Sequence, residues 1–142
     1  MSPMQISRTG LDVEWQRLQV IAQNLANLNS SKTVSGAPFR AMRLISGAKT
    51  SFADMIAKGP AAQGAEGVAV LGLEPIENGV RRVYDPTDPE ADKSGFVSHP
   101  SIDHATEMTL LIRTSRAYEA NLTALNIAGQ MFAQALQLGR QS

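Results

Sequence analysis

The chain has 142 residues, enough for one domain with a modest core, and its 13 Lys+Arg balance its 13 Asp+Glu. Zero net charge removes any global pull toward nucleic acid or anionic lipid. The absence of cysteine excludes disulfides, thiolate catalysis and the usual zinc sites, and suits a chain that enters an oxidising compartment.

Apolar residues make up 43% but aromatics only 5%, so the core must be aliphatic, Ala and Met with few large anchors. The first residues, MSPMQISRTGLDVEW, have no apolar h-region, and no cleavable secretory signal is expected. Met4, Leu11, Leu18 and Leu25 then recur every seven residues, with Trp15, Ile21, Ala22 and Leu28 at the neighbouring three- and four-residue steps. That is one apolar stripe with heptad character, and it predicts an amphipathic helix from about Met4 to Leu28. Gly10 is expected to fray or break its first turns. The turn formers of NLNSSKTVSGAP stop the helix near Asn29.

The middle, roughly Phe39 to His99, differs in character. FRAMRLIS alternates like a strand with one slip, and GVAVLGLEPI and VRRVY are short β-prone runs separated by Gly and Pro. The Pro/Ala/Gly stretch from Lys58 to Gly67 reads as a flexible loop. DPTDPEADKSG carries Asp85, Asp88, Glu90 and Asp92, but counting from Asp85 or Asp88 puts neither the Gly nor the Glu that an EF-hand needs in place. Two prolines make it a stiff, solvated turn instead. His99 and His104 straddle Pro100, which is not the helical pair of a metal site. No nucleophile constellation or phosphate loop is present, so no catalytic, cofactor, metal or small-molecule site is assigned.

After Pro100, Asp103 is the expected N-cap of a second helix and Glu107 sits near its N-terminus. Leu111, Tyr118, Leu125 and Phe132 repeat every seven residues, with Leu122 and Leu136 four after the second and fourth. Ala117, Ala120, Ala124, Ala128 and Ala135 form a small-residue stripe that permits close helix approach. The helix is expected to reach Leu138, with Gly139 ending it.

From Ala120 to Gly139 this segment has no charged residue, yet Asn121, Asn126, Gln130, Gln134 and Gln137 are amides that hydrocarbon would leave unpaired, so it is no membrane span. Gln16, Gln19, Gln23, Asn24 and Asn27 decorate the first helix similarly. A water-facing surface usually carries Lys and Glu, so these faces suit packing against protein, and Asn24, Asn27 and Asn121 are candidates for fixing register. At 1.5 Å per residue the two helices would be roughly 37 and 54 Å long, whereas a compact chain of this size has a radius of gyration of ~14 Å. The longer helix therefore projects beyond a monomeric core.

The fold class expected is α+β: long N- and C-terminal helices paired as a coiled-coil arm around a small β-rich middle. The divisions expected are 1–36, 37–100 and 101–142, the first and last forming one helical domain. The expected subunit interface is Leu11, Trp15, Leu18, Asn24, Leu25 and Asn27 with Leu111, Tyr118, Asn121, Leu122, Leu125 and Phe132. A structural building block is the leading reading; a secreted adaptor or chaperone-type module gripping a partner with the helical arms is the alternative.

The same residues carry a family resemblance. AQNLANLNSSKT (Ala22 to Thr33) resembles the ASNLANxxT signature of the bacterial flagellar rod, hook and filament axial proteins, with Gln23 in place of Ser. APFRA (Ala37 to Ala41) resembles the Pro–aromatic–Arg/Lys step that follows. VYDPTDPEADKSGFV (Val83 to Val97) is similar to the YDPxHPxAxxxGYV loop of the FlgC family of proximal rod proteins. Tyr84, Asp85, Pro86, Pro89, Gly95 and Phe96 are the family-loop positions; Asp88 stands where His is usual, and Phe96 where Tyr is. SRAYEANLTALNIAGQMFAQALQLGR (Ser115 to Arg140) resembles that family's C-terminal signature.

The resemblance implies a rod subunit of the basal body that leaves the cytoplasm unfolded through the flagellar type III export apparatus. It then assembles in the periplasm into a torque-transmitting shaft. Its partners would be copies of itself, other rod proteins and the export apparatus. No nucleic acid and no membrane insertion are implied.

Overall fold

The computed structural model describes residues 2–31, 36–49, 56, 67–77 and 79–140. Along the chain lie α1 (Pro3–Ala26), β1 (Met42–Ala48), β2 (Val68–Pro75), β3 (Val80–Tyr84), β4 (Phe96–Pro100) and α2 (His104–Gly139). This is an α+β chain with a helix at each end and small sheets between. β4 has no counterpart among the β-prone runs read from the sequence, and residues 58–66 of the expected flexible loop lie outside the described residues.

The start of α1 is set by chemistry the heptad stripe does not reveal. Pro3 takes the first helical position, where its missing N–H costs nothing. The Gln5 N–H donates to Ser2 Oγ at 3.3 Å and the Ser2 N–H donates to Gln5 Oε1 at 2.9 Å, a reciprocal capping box. The helix then runs through Gly10 without a break, contrary to the expected fraying. At its end the Asn27 amide donates to the Gln23 carbonyl at 2.9 Å and the Ser30 hydroxyl to Asn27 Oδ1 at 3.2 Å. The Asn27 amide thus serves one of the last carbonyls, and Ser30 holds that amide in place.

Asp103 caps α2 as the sequence indicates: its carboxylate accepts the Thr106 N–H at 3.0 Å and also the Thr106 hydroxyl. Those two bonds, the hydroxyl's first, hold the Asp103 carboxyl below its ordinary value.

The strands form two two-stranded sheets, β1–β2 and β3–β4. The second is antiparallel, with Val80 opposite Pro100, Arg82 opposite Ser98 and Tyr84 opposite Phe96. Flanking the first, the Lys49 N–H donates to Gly67 O at 3.1 Å and the Ile76 N–H to Ala41 O at 2.9 Å, so β1 and β2 also run in opposite directions.

The chain packs as two compact units, and both helices pass through both of them. One comprises Met1–Gln16, Ile45–Gly72 and Thr114–Ser142, the other Arg17–Leu44 and Leu73–Arg113. In the first unit the early turns of α1 lie against the late turns of α2. Trp15 and Tyr118 have ring centroids 6.4 Å apart, Gly10 faces Asn121, and Met4 Sδ lies 3.9 Å from where a Gly129 Cβ would stand. Position rises along α1 as it falls along α2, so these segments are antiparallel. The Thr9 hydroxyl accepts the Val68 N–H at 3.1 Å and fastens the start of β2 to α1.

In the second unit Val20, Ile21, Ala41, Leu44 and Val97 are buried, and the Arg17 guanidinium donates to the Leu44 carbonyl at 3.2 Å. Buried beside them are two polar side chains, Asn24 and Glu107.

Gly10 is explained by close approach. A Cβ there would sit 2.7 Å from Asn121 Oδ1 and 2.9 Å from Asn121 Cγ, while the Asn121 amide is tied to the Ala117 carbonyl at 3.0 Å. Alanine is favoured over glycine inside a helix by about 1 kcal/mol, so Gly10→Ala ought to stabilise an isolated α1. In the whole protein we expect Gly10→Ala to lower the melting temperature. In an Asn121→Ala background the same substitution should raise it. Thermal melts of the four proteins in this cycle test the contact, and a stabilising Gly10→Ala in the wild-type background would refute it.

Candidate assembly interface

The two helical stripes are only half covered. Leu11, Leu18, Leu25, Leu111, Tyr118 and Leu125 are half-buried, Trp15 is exposed despite its contact with Tyr118, and Leu122 is exposed on α2. Each stripe is thus partly covered and partly left to solvent. An open groove of about 650 Å³ over the first turns of α1 has Leu11, Tyr118 and Leu125 along it, edged by Met4, Arg8 and Asp12.

Past Gly129, which α1 meets at Met4, every described residue of α2 is exposed. The apolar residues there are Met131 at 65%, Phe132 at 57%, Leu136 at 56% and Leu138 at 71% exposure. Full burial of such a side chain is worth about 1.5–3 kcal/mol, and in this chain that stabilisation is not realised.

The candidate amides differ from one another. Asn24 is buried, and its side chain bonds to Met42 and Glu107 of the same chain. Asn27 and Asn121 are half-buried and donate to carbonyls of their own helices, Gln23 and Ala117.

The loop from Tyr84 to Phe96 is built by its aspartates acting on its own backbone. Asp85 Oδ1 accepts the Thr87 N–H at 3.1 Å and the Thr87 hydroxyl at 2.7 Å; Asp88 Oδ1 accepts the Glu90 N–H at 2.8 Å. Asp92 Oδ1 accepts from Ser94 at 2.8 Å and from Phe96 at 3.0 Å, while its other oxygen pairs with Arg82. The Arg82 guanidinium lies 4.7 Å over the Phe96 ring, and Tyr84 meets that ring edge-on at 5.2 Å.

Pro86 and Pro89 restrict the backbone between these turns. Carboxylates committed to local N–H groups define a loop shape and do not converge on a common centre. Among the described residues no group of three His, Cys, Asp or Glu side chains is placed to hold a metal ion. Nor is any described helix long and apolar enough to cross a membrane.

The chain is similar over nearly its whole length to flagellar basal-body rod proteins. It is 33% identical to FlgC of Borreliella burgdorferi, across 96% of this chain and 95% of that one. It is likewise 33% identical to FlgC of Bacillus subtilis (96% of each chain) and of Salmonella typhimurium (95% of this chain and 94% of the relative). The model of the flagellar basal body rod FlgEFG protein C-terminal family matches residues 93–138, which span β4 and nearly all of α2. The chain belongs to the FlgC family of flagellar basal-body rod proteins.

For this FlgC-family chain the sequence placed the stripes correctly on helices but did not single out Ser2, Gln5 or Glu107 as more than local features. The S-x-x-Q spacing at Ser2 was a readable signal for the cap. Nothing local marks Glu107 for burial against a residue of α1.

Two outcomes follow from the loop. Gly95 has φ of +79°, and a Cβ there would lie 2.8 Å from Tyr84 Cε2. Gly95→Ala should therefore destabilise by about 1–2 kcal/mol or more, the cost of a left-handed non-glycine residue, read in a denaturant melt.

The Asp85 carboxyl is held below its ordinary value chiefly by the Thr87 hydroxyl and N–H, and that of Asp92 chiefly by the Phe96 N–H. A depressed folded value means stabilisation that is complete above the ordinary carboxylate range, near about pH 4. It is lost as pH falls through the folded values. Acid titration followed by the Thr87 and Phe96 amide resonances should show both moving together below that range. Movement at neutral pH would contradict the assignment.

Proposed function

We propose that this chain is a structural subunit of the flagellar basal-body proximal rod, without catalytic activity, and that it packs with copies of itself and other rod proteins into a helical shaft. The observation that carries the reading is near-full-length similarity to rod proteins. The half-covered stripes and the uncovered end of α2 support it, because they leave apolar surface that neighbouring subunits would bury. On this reading residues 1–36 and 101–142 act as one helical domain whose pairing becomes a coiled coil in the rod, and 37–100 form the β-rich body.

The interface runs along Leu11, Trp15, Leu18, Leu25, Leu111, Tyr118, Leu122, Leu125 and Phe132. Asn27 and Asn121 assist register, and the Tyr84–Phe96 loop docks as a rigid shape. The subunit reaches the periplasm through the flagellar type III export apparatus without cleavage and there relays torque toward the distal rod and hook.

Phe132 and Leu125 separate assembly from folding. Phe132 is 57% exposed, so Phe132→Asp should leave the melting of the subunit unchanged. In a packed seam an unpaired charge costs several kcal/mol, so the same variant should be secreted yet absent from purified basal bodies. Leu125→Asp should lose both stability and incorporation. Fractionation of cells into secreted and basal-body-bound protein decides this, and normal incorporation of Phe132→Asp would remove the end of α2 from the interface.

Replacing both Pro86 and Pro89 by Ala should weaken incorporation while chelators leave it unaffected. Calcium binding that disappears with Asp88→Asn and Asp92→Asn would overturn the mechanical role of the loop.

A further inference from the structure

The buried amide of Asn24 ties its own helix, α1, to two other elements. It is 2% exposed, and it meets both backbone groups of the first residue of β1: Asn24 Nδ2 donates to the Met42 carbonyl at 2.9 Å, and the Met42 N–H donates to Asn24 Oδ1 at 3.0 Å. A side-chain amide thus pairs with β1 as a neighbouring strand residue would. The same Nδ2 also donates to Oε2 of Glu107 on α2, at 3.3 Å, and Glu107 is 4% exposed. All these groups lie in one compact unit, amid the apolar side chains of Val20, Ile21 and Leu44.

We propose that Asn24 is a latch that makes docking of β1 and pairing of α1 with α2 a single event. The reason is hydrogen-bond accounting. If α2 packed without Asn24 in place, the Glu107 carboxylate would be buried without the amide that serves it. If β1 docked without Asn24, the Met42 peptide would lose partners for both its donor and its acceptor. Leaving a buried carboxylate or a half-buried peptide unpaired is costly, so neither docking is favourable alone. Asn24 is therefore a positioning residue inside the subunit, and its effect on assembly passes through the fold. This inference rests on intrachain geometry and stands whether or not the rod reading holds.

The test is hydrogen exchange on verified monomer. The Met42 amide proton, bonded to Asn24 Oδ1, reports the latch directly. In the wild type it should exchange at the same rate as the slowest amides of α1 and α2 in its unit. Asn24→Asp cannot donate, and it sets two carboxylates against each other, so Met42 exchange should accelerate by about ten- to a hundredfold.

Glu107→Gln keeps an acceptor oxygen and should leave Met42 protected. Combined with Asn24→Asp it supplies a new donor toward the carboxylate introduced on α1, so the double variant should recover part of the lost protection. Should Asn24→Asp prove unfolded, the Glu107→Gln and Glu107→Leu pair carries the test, with protection of Met42 retained in the first and lost in the second. Met42 exchanging independently of the helix amides in wild type, or unchanged protection in Glu107→Leu, would overturn the latch.

Discussion

α1 organises this protein: it carries half of the buried apolar side chains among the described residues and the side chains that fasten β1 and β2. The buried apolar side chains among the described residues are Val13, Val20, Ile21, Ala41, Leu44 and Val97, three of them on α1 and none an aromatic. Gly10 lets the backbones approach, the Thr9 hydroxyl holds β2, and Asn24 holds β1. All three residues lie on α1.

Polar groups are allotted to different work along the chain. In the Tyr84–Phe96 loop, charged carboxylates shape exposed backbone, where full solvation keeps their cost low. On the helices or at their ends, Asn24, Asn27 and Asn121 stand beside the stripes as amides, which are neutral and can both donate and accept. Stiffness in the loop comes from the coincidence of Asx turns, the two prolines, and the Arg82–Phe96–Tyr84 stack. None of these needs an ion to hold it together.

Much of this was legible in the sequence because periodicity and punctuation are local. Seven-residue spacing of Leu and aromatic residues located both helices, turn formers after Ala26 located the first helix end, and Asp103 announced the second helix start. β4 was hidden because FVSHP follows the acidic loop, and its pairing with β3 depends on a loop that folds the chain back. Gly10 looked like a helix breaker because propensity counts only the helix it belongs to; the deciding contact, with Asn121, lies near the other end of the chain. The bond between Asn24 and Glu107 was unreadable for the same reason: the sequence marked Asn24 for register, but its partner lies on the last helix.

The exposed end of α2 poses the opposite problem: apolar side chains that no described residue covers, on a surface without charge. A helix meant to stay in water would place Lys or Glu between such residues. Doing so here would tax any packed state, since a charge stranded in a helical seam costs several kcal/mol whereas an unpaired amide costs about 1–3 kcal/mol. Asn126, Gln130, Gln134 and Gln137 keep the free helix hydrated without that penalty. When a neighbour arrives they can exchange water for a partner's carbonyl or amide at little net cost. Replacing charge by amide thus lowers the cost of burial without making the segment apolar enough for a membrane, and that combination favours protein as the surface this helix finally meets.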